Sequence, residues 1–141
     1  MSGGPREADL VERTRRSLEA GAFRDIDAGM RHFAPDAVWE VPQLGSSFEG
    51  AAAIRGFLED WFGAFKEFEI ELEEVLDLGK GVVFVMARSD ALPVGGTGRT
   101  RLQELFAYVV VWVDGAITRV TAYGDVDDGR AAAKRAAESR E

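Results

Sequence analysis

The chain has 141 residues, 46% apolar and 30% charged, which is the balance of a single soluble globular domain. Its 17 basic and 25 acidic residues give a net charge of −8, which argues against a nucleic-acid-binding surface. The absence of cysteine excludes disulfides, thiolate metal sites and cysteine nucleophiles. With a single histidine, no site can be built on two imidazoles, and we expect His32 to have a surface or capping role.

No segment has the pattern of a targeting or membrane-spanning sequence. The first seven residues contain no apolar core of the kind that a signal peptide requires. The longest apolar run covers residues 105–113, far short of the roughly 20 residues that a membrane helix needs. We therefore expect a cytoplasmic protein with no membrane partner and no nucleic-acid partner.

Two short helices are predicted at the start of the chain. Positions 10, 11, 14 and 18 share one helical face, and Gly21 is expected to end that helix. Asp25 is placed to cap the next helix, whose apolar positions 26, 30 and 33 face inward before Pro35 ends it.

A strand over residues 37–41 precedes the clearest helix of the sequence, at residues 51–65. Further strands are predicted at 69–76, 82–90, 101–113 and 116–123, with a turn at Gly79-Lys80-Gly81 and a hairpin at Asp114-Gly115. This order predicts an α+β fold in which one curved antiparallel sheet packs around helices. The helix at 51–65 presents a wide apolar face that must be buried, formed by Ile54, Phe57, Leu58, Trp61, Phe62 and Phe65.

We expect the chain to have three parts. Residues 1–7 are expected to be a flexible N-terminus and residues 8–128 a single domain. Residues 129–141 are rich in alanine and charge, so we expect a helical or frayed tail with little to bury. The long strand is apolar on both faces, which predicts a homodimer formed through the outer face of the sheet.

Several segments resemble the nuclear-transport-factor-2-like superfamily, and most of all its SnoaL-like and ketosteroid-isomerase-like branch. They are the stretch from Phe33 to Pro42, Phe48-Glu49-Gly50, the run 114–119, and Tyr123-Gly124-Asp125. The resemblance implies a cone-shaped sheet wrapped around a long helix, two N-terminal helices, a pocket at the open end and frequent dimers. The superfamily includes isomerases, polyketide cyclases, epoxide hydrolases, dehydratases and binding subunits, so the pocket must decide the function.

Comparison with ketosteroid isomerases shows that the usual catalytic residues of that group are missing. The position of the general-base carboxylate holds Val41, and the position of the oxyanion-hole tyrosine falls near Ser17. The position of the helping acid falls in the apolar run 107–109.

Comparison with limonene-epoxide-hydrolase-like proteins gives a partial match. Arg88-Ser89-Asp90 is similar to their Arg-x-Asp pair, in which the arginine bridges two aspartates that protonate the epoxide and activate water. The position of the second aspartate holds Ala122, and the position of the asparagine that helps to hold the water holds Glu40.

Strand periodicity adds further candidates for a pocket. Positions 82, 84, 86, 88 and 90 share one face, and we expect Phe84 and Met86 to face the interior with Arg88 and Asp90 nearer the mouth. If positions 104, 106 and 108 also face inward, Glu104 and Tyr108 join them. Two interpretations stay open: an ion pair at the sheet rim, or a polar cluster inside a ligand pocket.

The resulting hypothesis is a cofactor-independent isomerase, cyclase or epoxide-hydrolase-like enzyme acting on a small hydrophobic molecule. Glu40 transfers a proton, while Arg88 and Asp90 orient the substrate. No metal site and no cofactor are expected. The alternative is a non-catalytic ligand-binding or assembly protein of the same fold. The expected substrate-binding residues are Trp39, Phe57, Trp61, Met86, Glu104, Phe106 and Tyr108.

Overall fold

The computed structural model describes residues 6–22, 25–96 and 101–139. Residues 1–5 of the expected N-terminal segment lie outside this range, and the first helix begins at Arg6. A single 3-10 turn at Pro42–Leu44 separates the first two strands. The elements are α1 (Arg6–Ala22), α2 (Ile26–Met30), β1 (Phe33–Val41), β2 (Ser46–Glu49), α3 (Ala51–Gly63), β3 (Phe65–Asp77), β4 (Val82–Pro93), β5 (Leu102–Val113), β6 (Ala116–Tyr123) and α4 (Val126–Ser139).

The strands form one six-stranded sheet in the order β2-β1-β6-β5-β4-β3. All neighbouring strands are antiparallel except β1 and β6, which pair in parallel. The predicted α+β architecture is therefore confirmed, with a mixed sheet in place of a purely antiparallel one. The parallel pair arises because the last strand returns to lie between β1 and β5.

The inner face of the sheet packs against helices α1, α2 and α3. Ile54 from α3 is fully buried there, together with Val85 from β4 and Val110 from β5. The Trp112 indole donates a hydrogen bond to the Thr14 hydroxyl at 2.9 Å, and both side chains are buried. This bond ties α1 to β5 at what we call the closed end of the cone.

The outer face of the sheet has its own, smaller core beneath α4. Ala133 of α4 is fully buried in a cluster with Val82, Phe84, Ala107 and Val109. The C-terminal segment therefore does bury apolar surface, against the expectation of a tail with little to bury. The alternating apolar residues of β4 and β5 could not reveal this, because a strand that is apolar on both faces gives no indication of which layer covers it.

An ion pair anchors α4 to the sheet. The Arg130 guanidinium lies 4.6 Å from the centroid of the Phe84 ring and donates to Glu74 at 2.8 Å. Gly129 allows the helix to approach closely, since a Cβ at this position would lie 2.8 Å from the Ala107 Cβ.

Two predicted turns are confirmed in detail. Gly79, Lys80 and Gly81 all have positive φ angles, and so do Asp114 and Gly115 at the β5–β6 hairpin. Positive φ at both central residues is the geometry of a two-residue hairpin whose twist matches that of its strands. Asp25 caps α2 as expected, since its side chain accepts a hydrogen bond from the Ala28 amide at 3.1 Å.

Several boundaries differ from the prediction. Phe33 and Pro35 lie inside β1 and not in the second helix. Pro35 falls where the β1–β6 register is interrupted between Phe33 and Val38, so its missing N–H removes no ladder bond there. The helix predicted over 51–65 ends at Gly63, and Phe65 begins β3. Of its apolar face, Ile54 and Phe62 are buried, whereas Trp61 is 42% exposed.

Candidate ligand-binding site

A cavity of about 340 Å³ lies between the inner face of the sheet and helices α1 to α3. Its volume is within the range of about 300–1,000 Å³ that is typical of small-molecule pockets. Ten of its lining residues are aromatic. They are Phe33, Trp39, Phe48, Phe57, Trp61, Phe62, Phe68, Phe106, Tyr108 and Tyr123.

Trp39 lies at the centre of these aromatic contacts. Its ring centroid lies 5.9 Å from that of Phe57 and 5.5 Å from that of Tyr108, which it meets edge to face. Phe57 in turn stacks on Phe48 at 4.4 Å. Ring contacts at such distances hold each other in place, so this wall is formed before any ligand arrives.

The inward positions of β5 run from the mouth of the cavity to its closed end. Glu104 is exposed, Phe106 and Tyr108 are half-buried, and Val110 and Trp112 are buried. The sequence left open whether positions 104, 106 and 108 of this strand face inward, and these are the positions that face the cavity. Burial raises the pKa of the Tyr108 phenol well above its usual value, so the hydroxyl stays protonated and neutral.

Two polar groups near the closed end differ in how they are satisfied. The Ser17 hydroxyl donates to the Gly29 carbonyl at 2.7 Å and is therefore already paired. The Trp39 indole N–H is buried and has no hydrogen-bond partner. A buried donor without an acceptor costs about 1–3 kcal/mol, so such a group is uncommon in a folded protein.

Two of the polar residues that line the cavity, Ser89 and Glu104, lie directly opposite each other on β4 and β5. Among the described lining residues, Glu104 supplies the one carboxylate. Ser89 was not among the predicted site residues. Strand periodicity could have identified it, because Ser89 lies on the same face of β4 as Val83, Val85 and Ala87, which is the inner face. The sequence instead favoured the opposite face of β4 as the inner one.

Arg88, Asp90 and Met86 do not lie in the cavity, and their predicted placement is wrong. They share the outer face with Phe84, whose burial under α4 explains the error. Both faces of β4 are apolar in its first half, so periodicity alone could not tell which face was the interior.

Arg88 and Asp90 form ion pairs outside the cavity. Arg88 donates to Glu73 at 3.1 Å. Asp90 accepts from Arg101 at 2.6 Å and from Gln103 at 3.0 Å. The hydrogen bond from Arg101, with that from Gln103, holds the pKa of the Asp90 carboxyl below its usual value. Of the two interpretations that the sequence left open, the structure supports the ion pair.

Glu40 also faces away from the cavity, between the inward-facing Trp39 and Val41. Its carboxylate pairs with Arg119 at 2.5 Å and accepts from the Thr121 hydroxyl at 3.3 Å. Two strands separate β1 from β4, so Glu40 lies at least about 14 Å from β4 at ordinary strand spacing. The register puts Phe84 at the level of Glu40, and Asp90 lies six residues further along β4. The predicted convergence of Glu40, Arg88 and Asp90 is therefore wrong, because no shared water can span that distance.

The remaining predicted ligand contacts do line the cavity: Trp39, Phe57, Trp61, Glu104, Phe106 and Tyr108. So do Ser17, Val41 and Ala122, the positions at which the compared families carry catalytic groups. The cavity thus occupies the expected place, while those three positions carry a paired hydroxyl and two aliphatic side chains. His32 lies near the closed end, with its ring 5.9 Å from that of Trp112.

No helix in the described part of the chain combines the length and apolar character needed to cross a bilayer. Within residues 6–22, 25–96 and 101–139, no group of three or more His, Asp or Glu side chains is arranged to hold a metal ion.

Solved structures with the same fold span several kinds of protein. TerC, co-crystallised with polyporic acid, is 21% identical over 89% of this chain and 98% of its own, with a TM-score of 0.71. An LEH-like epoxide hydrolase from M. tuberculosis is 22% identical over 93% of both chains, also with a TM-score of 0.71. A putative ketosteroid isomerase from Kribbella flavida is 19% identical over 82% of this chain and 77% of its own, with a TM-score of 0.68.

At these identities the likeness establishes the fold and not the activity. No functionally curated protein matches the sequence. The sequence model of the SnoaL-like domain, however, matches residues 14–120, which is most of the chain. The cone-shaped sheet, the enclosed aromatic cavity and this match together show that the chain belongs to the SnoaL-like domain family.

Proposed function

We propose that this protein binds a small, mostly apolar molecule in its aromatic cavity, without the two-carboxylate chemistry that the sequence suggested. One observation carries the proposal: the described lining residues contain ten aromatic side chains and one carboxylate. Burial of apolar ligand surface against such a wall supplies the main favourable free energy of binding.

The charged residues support the same proposal. Arg88 and Asp90 are engaged in ion pairs on the outer face, as Glu40 is on β1. Acid–base hydrolysis of an epoxide by two carboxylates requires both to reach the bound substrate, and here neither does. The cavity is therefore better suited to hold a ligand than to hydrolyse it.

The test uses tetralin, an apolar two-ring hydrocarbon, titrated into the labelled protein and followed by two-dimensional NMR. We expect saturable binding with a Kd below about 1 mM, and shifts centred on inner-face residues. Ala122→Phe fills the cavity and should abolish binding, whereas Ala53→Phe adds the same ring to an exposed position of α3 and should not. Binding that survives Ala122→Phe in a folded protein would contradict the proposal.

Proton transfer by a single carboxylate is the second candidate, and the position of Glu104 favours it. This side chain lines the cavity opposite Ser89, so a ligand carbon near the mouth could lose a proton to it. The probe is α-tetralone in D₂O, whose exchange of C–H protons beside the carbonyl is followed by NMR. Acceleration by the wild type that disappears in Glu104→Gln would support an enzyme, and exchange at the buffer rate in both would exclude this role.

We also propose a homodimer that forms through the outer face of the sheet. The apolar surface available for it is smaller than the sequence suggested, because α4 covers part of that face. The α4 helix covers Val82, Phe84, Ala107 and Val109, while Leu76 and Val113 stay more than a third exposed. Sedimentation of the full chain at micromolar concentration tests the proposal, and a monomer there would overturn it.

A further inference from the structure

The α4 helix packs against the reverse side of the cavity wall. Gly129 lies over a pair of residues, Ala107 on β5 and Tyr123 on β6, which are directly opposite each other in the sheet. A Cβ at Gly129 would lie 2.8 Å from the Ala107 Cβ and 3.4 Å from the Tyr123 Cβ. The backbone of α4 is therefore in close contact with both strands at this pair.

The residues on either side of the pair belong to the cavity. All four chain neighbours of Ala107 and Tyr123 line it: Phe106, Tyr108, Ala122 and Gly124. Alternate residues of a strand point to opposite faces, so one short piece of β5 contacts α4 with one residue and forms the cavity wall with the next. A shift of the sheet beneath α4 must therefore also shift that wall.

Tyr123 takes part in both environments. It is half-buried, it packs against the apolar cluster beneath α4, and it also lines the cavity. A Cβ at Gly129 would lie 3.5 Å from the Tyr123 Cδ2, so the helix limits where the ring can move. Only Gly124 and Asp125 separate Tyr123 from the first residue of α4. Detachment of α4 would thus free this ring and the adjoining backbone of the cavity wall together.

The contacts that hold α4 on the sheet come mainly from small side chains. The α4 residues that pack in the outer-face cluster are Val126, Ala132, Ala133, Ala136 and Ala137. Alanine buries little apolar area, and a helix of 14 residues is only marginally stable away from a protein surface. We therefore expect α4 to open locally at a lower free energy than the strands beneath it.

We propose that ligand binding in the cavity and docking of α4 on the outer face are coupled through Tyr123. The inference rests on the proposed function and adds a regulatory link to it. The two states are the docked helix and a helix detached at Gly124 and Asp125, and the ligand favours the docked one. Coupling between two sites is reciprocal, so a second copy or another protein that displaced α4 would weaken ligand binding.

Amide hydrogen exchange of the wild-type chain, with and without saturating tetralin, measures this coupling. We expect the α4 amides to exchange about fivefold or more slowly when the ligand is bound. The hydrogen-bonded amides of Leu78, Gly79 and Val82 are the internal control, because none of these residues lines the cavity, and their exchange should stay within about twofold. Unchanged exchange in α4 would overturn the inference, and so would equal slowing in the control turn, which indicates general stabilisation by the ligand.

Ala133→Glu tests the same coupling from the side of the helix. It puts a charge at a fully buried position and should detach α4. Tetralin affinity should then fall by the factor that the exchange measurement gives, within about twofold, because the coupling is reciprocal. Ala131→Glu adds the same side chain at an exposed position of α4 and should leave the affinity unchanged. Full affinity in Ala133→Glu with a detached α4 would contradict the coupling, and if this variant unfolds, the exchange measurement on the wild type still decides.

Tyr123→Val tests whether the shared ring carries the coupling. It removes the ring and keeps a side chain that suits a strand. Tetralin should still bind, although more weakly, and at saturation it should slow exchange in α4 by less than about twofold. Slowing equal to that of the wild type would show that Tyr123 does not transmit the effect. If tetralin does not bind the wild type at all, the proposed function fails and this inference fails with it.

Discussion

The two faces of the sheet bury similar apolar side chains but differ in how fully the space beside them is filled and in the polar groups they carry. On the outer face, Arg88, Asp90 and Arg130 all have ionic partners. On the inner face, the Trp39 N–H has none, and helices α1 to α3 leave about 340 Å³ unfilled. A single strand such as β4 contributes to both environments through alternate residues.

This difference separates stability from function along the same strands. Close packing and paired charges under α4 stabilise the fold, whereas the unfilled space beneath the helices carries a free-energy cost that a bound ligand can reduce. Apart from changes that detach α4, substitutions on the outer face should therefore mainly change stability, and substitutions around the cavity should mainly change ligand binding.

The largest effect is expected for Phe84→Ala. Phe84 is 1% exposed and contacts the Arg130 guanidinium, so its removal leaves a cavity beneath α4. We expect a loss of about 3–5 kcal/mol in the free energy of unfolding, measured by urea denaturation. A loss below about 1 kcal/mol would show that α4 does not stabilise the outer face as described.

Gly129→Ala tests the close contact between α4 and the sheet. The added methyl would lie 2.8 Å from the Ala107 Cβ, so we expect a loss of about 1–3 kcal/mol in unfolding free energy. Gly56→Ala in α3 is the control, since beyond its chain neighbours and its own helix backbone nothing lies within 4 Å of the new Cβ. Because alanine favours a helix more than glycine does, the control should stabilise the protein by up to about 1 kcal/mol. Equal effects of both changes would contradict a close contact.

Trp61→Ala, at the mouth of the cavity, should change ligand affinity more clearly than stability. The side chain is 42% exposed, so we expect a stability loss below about 2 kcal/mol, smaller than for a buried aromatic residue. Tetralin affinity should fall about threefold to tenfold, because part of the apolar wall is removed. Calorimetric melting and NMR titration measure the two effects separately. Unchanged tetralin affinity would mean that ligands do not reach the mouth.

The smallest effect concerns the pH dependence of Asp90. Its folded-state pKa is lowered by Arg101 and Gln103, so its stabilising contribution is full above the ordinary carboxyl pKa of about 4 and is lost as pH falls through the lowered value. Asp90→Asn should therefore lower Tm slightly at about pH 7 and progressively less below about pH 4. Asp36→Asn, on an exposed carboxyl of β1, is the control. A Tm difference for Asp90→Asn that stays constant with pH would contradict this account.

The fold was largely predictable because its signals are local. Asp25, Gly81 and the Asp114-Gly115 pair each specify a cap or turn through their own backbone chemistry. The candidate site was less predictable from the sequence, because its composition depends on which face of β4 packs against which helix. Val82 and Val83 are equally apolar, and only the packing of α4 shows that Val82 faces outward. On β5 the aromatic and acidic side chains of one parity gave a usable indication of the cavity.

The three tryptophans of the chain occupy three distinct environments: Trp61 at the mouth, Trp39 in the cavity wall and Trp112 hydrogen-bonded at the closed end. The protein thus carries intrinsic optical reporters at three depths along one axis. A water-soluble quencher should reach Trp61 first, a bound ligand should alter the emission of Trp39, and Trp112 should respond only when α1 separates from β5. Fluorescence of the unlabelled protein can therefore distinguish ligand entry from unfolding in a single titration.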